Sequence, residues 1–215
     1  MIRNIKVLGL AIAAVLALSA VAAGSASAAA FHSSESPTII TGTQTGNHVF
    51  DAASDTISCT GATFKGTVTG TEVQSIQTEA AYTGCSFFGV AVSVNMNGCQ
   101  YEFNANGEVA VINKPSRNCS TEPITFKASF LGVSCTIKVG PQVELKSATY
   151  DSTEKEETNG TVTVTPAVNG IAYTQEGGGC GSHNEGRYTS GTTLVKGFAD
   201  SSGTEGAQHA IWWTK

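Results

Sequence analysis

The sequence predicts an all-β fold, an antiparallel β-sandwich, and three observations predict it. Apolar residues recur with period two along most of the chain, Asn-Gly pairs separate the alternating runs, and six cysteines follow an N-terminal export signal.

The export signal comes first. Arg3 and Lys6 lie in a short basic start, Val7 to Ala23 is almost wholly apolar, and small residues follow through Ala26-Ser27-Ala28. A basic, an apolar and a small-residue region in that order read as a signal helix, residues 1–28, cleaved after Ala28. The competing reading, an uncleaved anchor, meets an apolar run of only 17 residues, at the short edge of what spans a bilayer. Cleavage leaves 187 residues, with ten basic side chains against 17 acidic ones and a net charge of −7. The basic residues are scattered, whereas nucleic acid and anionic membrane both need clustered Lys and Arg. The expectation is no nucleic-acid partner and no membrane association after cleavage.

Next, residues 29–50 are rich in Ser, Thr and Gly and read as a flexible N-terminal arm. The remainder, 51–215, reads as one sandwich domain. Within it Val90, Val92, Val94 and Met96 alternate with polar or small residues, as do Tyr101 and Phe103. Ile124 to Phe130 and Val133 to Val139 repeat the pattern, followed by Val162 and Val164 among threonines. A strand sends successive side chains to opposite faces, so such runs bury one set and wet the other. Asn-Gly stands at 97–98, 106–107, 159–160 and 169–170. Both residues tolerate positive φ, so each pair is expected to mark a strand reversal. Many short strands between such turns indicate a sandwich of immunoglobulin-like or jelly-roll-like kind. The charged segment 150–160 reads as a solvated hairpin loop rather than a linker, because the 55 residues beyond it are thin for an independent fold.

Cys59, Cys85, Cys99, Cys119, Cys135 and Cys180 all lie in the exported part. An even count in an oxidising compartment reads as three disulfides. No C-x2-C pair is present, and only Cys180 has a histidine nearby, His183, so the expectation is no metal and no cofactor. Nearest-neighbour pairing would join Cys85 to Cys99, Cys119 to Cys135 and Cys59 to Cys180. Geometry objects to the first: with a hairpin at Asn97-Gly98, Cys85 lies about 30 Å along the strand from the turn, against the roughly 4.4–6.8 Å that disulfide α-carbons allow. The connectivity stays open among fifteen.

Catalytic patterns are weak. There is no G-x-S-x-G elbow, and Ser190 in "YTSGTT" lacks a preceding Asp. A glycosidase needs two converging carboxylates; Glu72, Glu79, Glu102, Glu108, Glu122 and Glu144 fall mostly at polar phases of strands. The glycine-rich "GGGCGSHNEG", 177–186, has neither the helix nor the lysine of a phosphate cradle. "DSTEKEE" lacks the frame of a calcium loop. His32, His48 and His209 are isolated in sequence. Trp212 and Trp213, adjacent near the C-terminus, would face opposite sides of a strand. One is expected to anchor the core, and the other is a candidate for stacking on a carbohydrate or another extracellular protein.

The constellation "YTGC…FFGVAVSVNMNGCQYEF…CTIKVGPQVEL", followed by "NGIAY" and "GRYTSGTTLVKGF", resembles uncharacterised secreted bacterial β-rich proteins with paired cysteines. The resemblance covers about 55–200 and implies a β fold, without an activity or site residues. The whole reads as a secreted, extracellular or cell-wall-associated, non-enzymatic binding or structural module. The alternative is a secreted carbohydrate-active hydrolase with a Glu/Asp pair, and a disulfide-rich inhibitor or toxin comes third.

Overall fold

The computed structural model describes residues 28–52, 55–152, 160–200 and 208–215. Its strands begin with β1 (Ala30–Ser33), β2 (Thr38–Gln44), β3 (His48–Ala52), β4 (Asp55–Val68), β5 (Glu72–Val73) and β6 (Ser75–Phe87). Next come β7 (Val90–Asn95), β8 (Cys99–Asn104), β9 (Glu108–Asn113), β10 (Ile124–Phe130), β11 (Val133–Val139) and β12 (Gln142–Lys146). The last are β13 (Ala148–Ser152), β14 (Val162–Ala172), β15 (Thr174–Glu176), β16 (Glu185–Ser190), β17 (Thr193–Phe198), β18 (Gln208–His209) and β19 (Ile211–Thr214). The described residues contain no helix and fall into two sheets, of three and sixteen strands. Every alternating run read from the sequence is a strand.

Several consecutive strands act as one long strand with a break. β3 and β2 lie end to end along β4, His48 opposite Cys59 and Thr43 opposite Thr63. β16 and β17 lie end to end along β3 and β2 in turn. β14 and β15 are separated by Tyr173 alone; β14 pairs with β16 and β17, and β15 pairs with β11. From β14 the ladder runs through β17, β2, β4, β6, β7, β10 and β11 and comes back at β15. That circuit leaves few unpaired edges, the liability of any open sheet. At its other end β6 pairs with β8, β8 with β9 and β9 with β12.

Composition misleads about 29–50. These residues form β1, β2 and most of β3, with Phe31, Ile40 and Phe50 at 3–4 % exposure. Serine and threonine are as compatible with the outward face of a strand as with a loose arm. The Asn-Gly pairs divide. Asn106-Gly107 turns β8 into β9, with Gly107 at φ 93°. Asn97-Gly98 joins β7 to β8, which pair with β10 and β6 and not with each other. Asn169-Gly170 sits inside β14 as a register shift against β16, with Gly170 at φ 73°. A bulge asks for the same positive φ as a hairpin, so the dipeptide alone does not separate them. The fourth pair includes Asn159, outside the described residues, as are 1–27 of the signal and 153–159 of the charged segment. The strands flanking that segment, β13 and β14, pair antiparallel.

All six cysteines are bonded, Cys59–Cys85, Cys99–Cys119 and Cys135–Cys180. None of the nearest-neighbour pairs forms. Cys59 and Cys85 face each other across β4 and β6, neighbours in the sheet though 26 residues apart. Three closed disulfides mark an oxidising compartment. Among the described residues no helix is long and apolar enough to cross a membrane.

Candidate ligand-binding end

Two hairpins stand side by side in the large sheet, β6–β7 and β10–β11, joined because β7 pairs with β10 through Val92 and Ala128. Their turns close in the same way. Phe87 faces Val90 across Phe88-Gly89, and Phe130 faces Val133 across Leu131-Gly132. Phe88 and Leu131 have φ of 46° and 48°, and the glycines after them 80° and 81°. Positive φ at both central positions is the type I′ turn, whose ordinary first residue is Asn, Asp or Gly. Here it is a large apolar residue, and local sequences match: Ser86-Phe87-Phe88-Gly89-Val90 and Ser129-Phe130-Leu131-Gly132-Val133.

These tips are exposed. Phe88 is 82 % exposed, Leu131 87 %, Phe130 61 % and Val133 51 %. Of the five large apolar side chains exposed among the described residues, only Val143 lies elsewhere. Scattered exposed apolar residues need no account, but a contiguous group marks a contact surface.

Beneath the tips lies a pocket of about 360 Å³. Its walls include Ile57, Phe126, Ala128, Ile137 and Tyr173, where the inner face of the sheet reaches the rim. Its far side is the glycine-rich loop, held to β11 by Cys135–Cys180. Gly179 N–H donates to the Ser134 carbonyl at 3.2 Å. Gly177, at φ 111°, runs so close to that same carbonyl that a β-carbon would overlap it. Polar groups at the pocket are few: Ser129, Gln175 and His183, with the Gln175 amide donating to the His183 carbonyl. No carboxylate, lysine or arginine lines it.

A second cavity of about 110 Å³ lies inside the core. A polar chain crosses it: Thr193 Oγ1 is 3.3 Å from His48 Nε2, His48 Nδ1 shares a hydrogen bond with the Tyr188 hydroxyl, and Tyr82 links Tyr188 and Tyr101 at 3.2 Å each. Burial lowers the His48 pKa from 6.5 to about 4 and drives the hydroxyls of Tyr82, Tyr101 and Tyr188 well above the usual tyrosine range. Neutral imidazole and neutral phenols satisfy one another there, as buried polar groups must. At neutral pH this hydrogen-bonded network is therefore uncharged throughout.

Of the residues singled out from the sequence, Cys135, Cys180 and His183 line the pocket, and His32, His48 and Trp212 line the core cavity. Trp213 anchors the C-terminus: its indole N–H donates to the Ala105 carbonyl at 2.9 Å, and its ring packs against Tyr150. Trp212 is half-buried, stacked on His32 at 5.2 Å between centroids. The six glutamates are outside both cavities. Glu79 pairs with Lys114, Glu108 with Lys146 and Glu122 with Arg117; Glu102 accepts from Gln77, and Glu72 lies 3.9 Å from His32. Glu144 is exposed on β12. Among the described residues no three His, Cys, Asp or Glu side chains gather as a metal site would require. The tip residues were missed by reading the two runs as strands only. The signal for them is the repeated Ser-Phe-x-Gly-Val, with an apolar residue where a tight hairpin prefers Asn.

Comparison with protein families, curated proteins and solved structures finds no match to this chain.

Proposed function

We propose that the chain is a secreted, non-enzymatic binding module, an antiparallel β-sandwich that takes an apolar ligand at the hairpin-tip end. One observation carries this reading: four exposed apolar side chains from two matching turns surround an apolar pocket of about 360 Å³. That volume falls in the range of ligand pockets, and a mostly apolar lining with a few polar groups is their usual composition. A disulfide that holds the wall of the pocket, Cys135–Cys180, suits an extracellular or cell-wall setting, where thiols stay oxidised.

The test is titration of the exported, oxidised protein with 1-anilinonaphthalene-8-sulfonate, an apolar fluorescent probe. Saturable enhancement on the native protein, lost when Ala128→Phe fills the pocket, is the expected outcome. A native protein that leaves the dye dark, or an Ala128→Phe variant that folds and binds it unchanged, would overturn the reading.

A further inference from the structure

We infer that the ligand is the hydrocarbon chain of a single-chain amphiphile, which fills the pocket and continues over the exposed hairpin tips. This deepens the binding-module reading and rests on it. Three features of the end select that chemistry together. The pocket is lined without a charged side chain, so a charged or zwitterionic group cannot be desolvated inside it; the head must remain in water. The only polar side chains, Ser129, Gln175 and His183, suit a mouth rather than a specific polar core. The apolar surface does not stop inside the pocket. Phe130, Val133, Phe88 and Leu131 line its outer part and carry it into solvent, all more than half exposed.

A compact aromatic ligand seated against Ile57, Phe126 and Ile137 would leave the outer, exposed parts of the tip side chains in water. A flat protein surface would cover the tips and leave the pocket empty. A flexible chain longer than the pocket uses both. At about 30 Å³ per water-sized group, the pocket takes on the order of a dozen such groups. That is about a dozen methylenes, shorter than a common membrane acyl chain.

This geometry sets a chain-length signature. Each methylene fully removed from water contributes about 0.8 kcal/mol, a three- to fourfold gain in affinity at 1.4 kcal/mol per tenfold. Methylenes lying on the open tips lose only part of their water and contribute a smaller factor each. Affinity should climb steeply with chain length until the pocket is full, then more gently.

The experiment measures a straight-chain series from octanoate to stearate on the exported, oxidised protein. Each acid displaces a dansylated fatty acid below its micelle concentration, with lysophosphatidylcholines of matching lengths as a second arm. Similar breaks in both arms identify the hydrocarbon chain as the recognised part; a break in one arm alone identifies the head that accompanies it, and either supports the inference. Two variants divide the curve. Ala128→Phe should weaken every member at least tenfold. Phe88→Asn with Leu131→Asn, which restores the usual hairpin residue and so preserves folding, should abolish the shallow part beyond the break and lower the steep part less than Ala128→Phe does. A protein that binds the anilinonaphthalene dye in an Ala128-dependent way but shows no chain-length dependence overturns the amphiphile inference and leaves the binding module standing. A protein that binds neither overturns both.

Discussion

Replacing the apolar residue at a hairpin tip should make this protein more stable, and Leu131→Asn is the cleanest case. Leu131 sits at φ 48°, a conformation that costs a side-chain-bearing residue about 1–2 kcal/mol and that Asn tolerates better. Its side chain returns little in exchange. At 87 % exposure, about an eighth of its surface is covered, and full burial of a leucine contributes about 1.5–3 kcal/mol, so packing supplies roughly 0.3 kcal/mol. The balance favours the variant by about 0.5–1 kcal/mol, a rise in Tm of about 1–4 °C for a chain of this size. Phe88→Asn offers a control. Phe88 has nearly the same φ, 46°, but its ring meets Phe87 edge-on at 4.7 Å, a contact of about 0.5–1.5 kcal/mol; the two terms cancel and Tm should hardly move. Calorimetry on both variants, with denaturant slopes checked for constancy, reads the result. If Leu131→Asn lowers Tm, Leu131 supports the fold, and the argument that it is held ready for a ligand collapses. A gain in stability that comes with weaker binding is the trade-off expected of a functional surface.

Acidification should weaken the fold through His48. Its folded pKa, about 4, lies below the ordinary 6.5, so the unfolded chain takes up the proton first and stability is lost as pH falls between those values. The loss reaches about 3 kcal/mol at the lower end. His48→Gln should remove that component from the difference between denaturation midpoints near neutrality and near pH 4, and an unchanged pH dependence would mean His48 charges freely in the native state. The disulfides should differ in access and in worth. Cys59, Cys85, Cys99 and Cys119 are at most 6 % exposed, whereas Cys135 and Cys180 are half-buried, so native-state reduction and alkylation should label Cys135 and Cys180 first. Closing 45 residues, that bond stabilises by about 4 kcal/mol on the chain-entropy estimate, against about 3.5 and 3.3 for the 26- and 20-residue loops. Cys135→Ser with Cys180→Ser should therefore lower stability and, by freeing the pocket wall, weaken dye binding. Labelling of Cys99 ahead of Cys135 would contradict the order.

Local pattern made the strands legible and left their partners hidden. Val90 to Asn95 and Ile124 to Val139 alternate as half-buried strands do, and they are strands. Pairing depends on distant segments: β2 lies beside β17, and β4 meets β3 and β2 in line, which no short window of sequence encodes. The cysteine pairs were illegible for the same reason, since Cys135 and Cys180 are brought together by β11 and the loop after β15. Trp212 drew attention as a rare residue, yet its ring lies against His32 because Ile211 to Thr214 pairs with β1. The candidate site was missed because Phe88 and Leu131 fall between the alternating runs, at turns that lack the Asn-Gly signature by which reversals were sought.

The pocket follows from how the alternation runs out. Along β10 the inward phase is Ile124, Phe126, Ala128, Phe130, and exposure climbs from 2 % and 9 % through an intermediate value to 61 %. Along β11, read toward the same end, Val139, Ile137, Cys135 and Val133 climb from 3 % and 8 % to 51 %. The face that forms the core is thus extended, with unchanged chemistry, into the exposed ends of both strands. An ordinary strand would switch to polar residues there, because solvent-facing positions gain nothing from apolar side chains and an exposed apolar rim invites association. Both strands keep the apolar phase and close with apolar turns. Cys135, in the same phase, then ties down the glycine-rich loop and fixes it as one wall of the pocket. The sequence features with no structural advantage, the two apolar turns and the uninterrupted phase leading to them, converge on a single opening, and an apolar occupant is what would make each of them favourable.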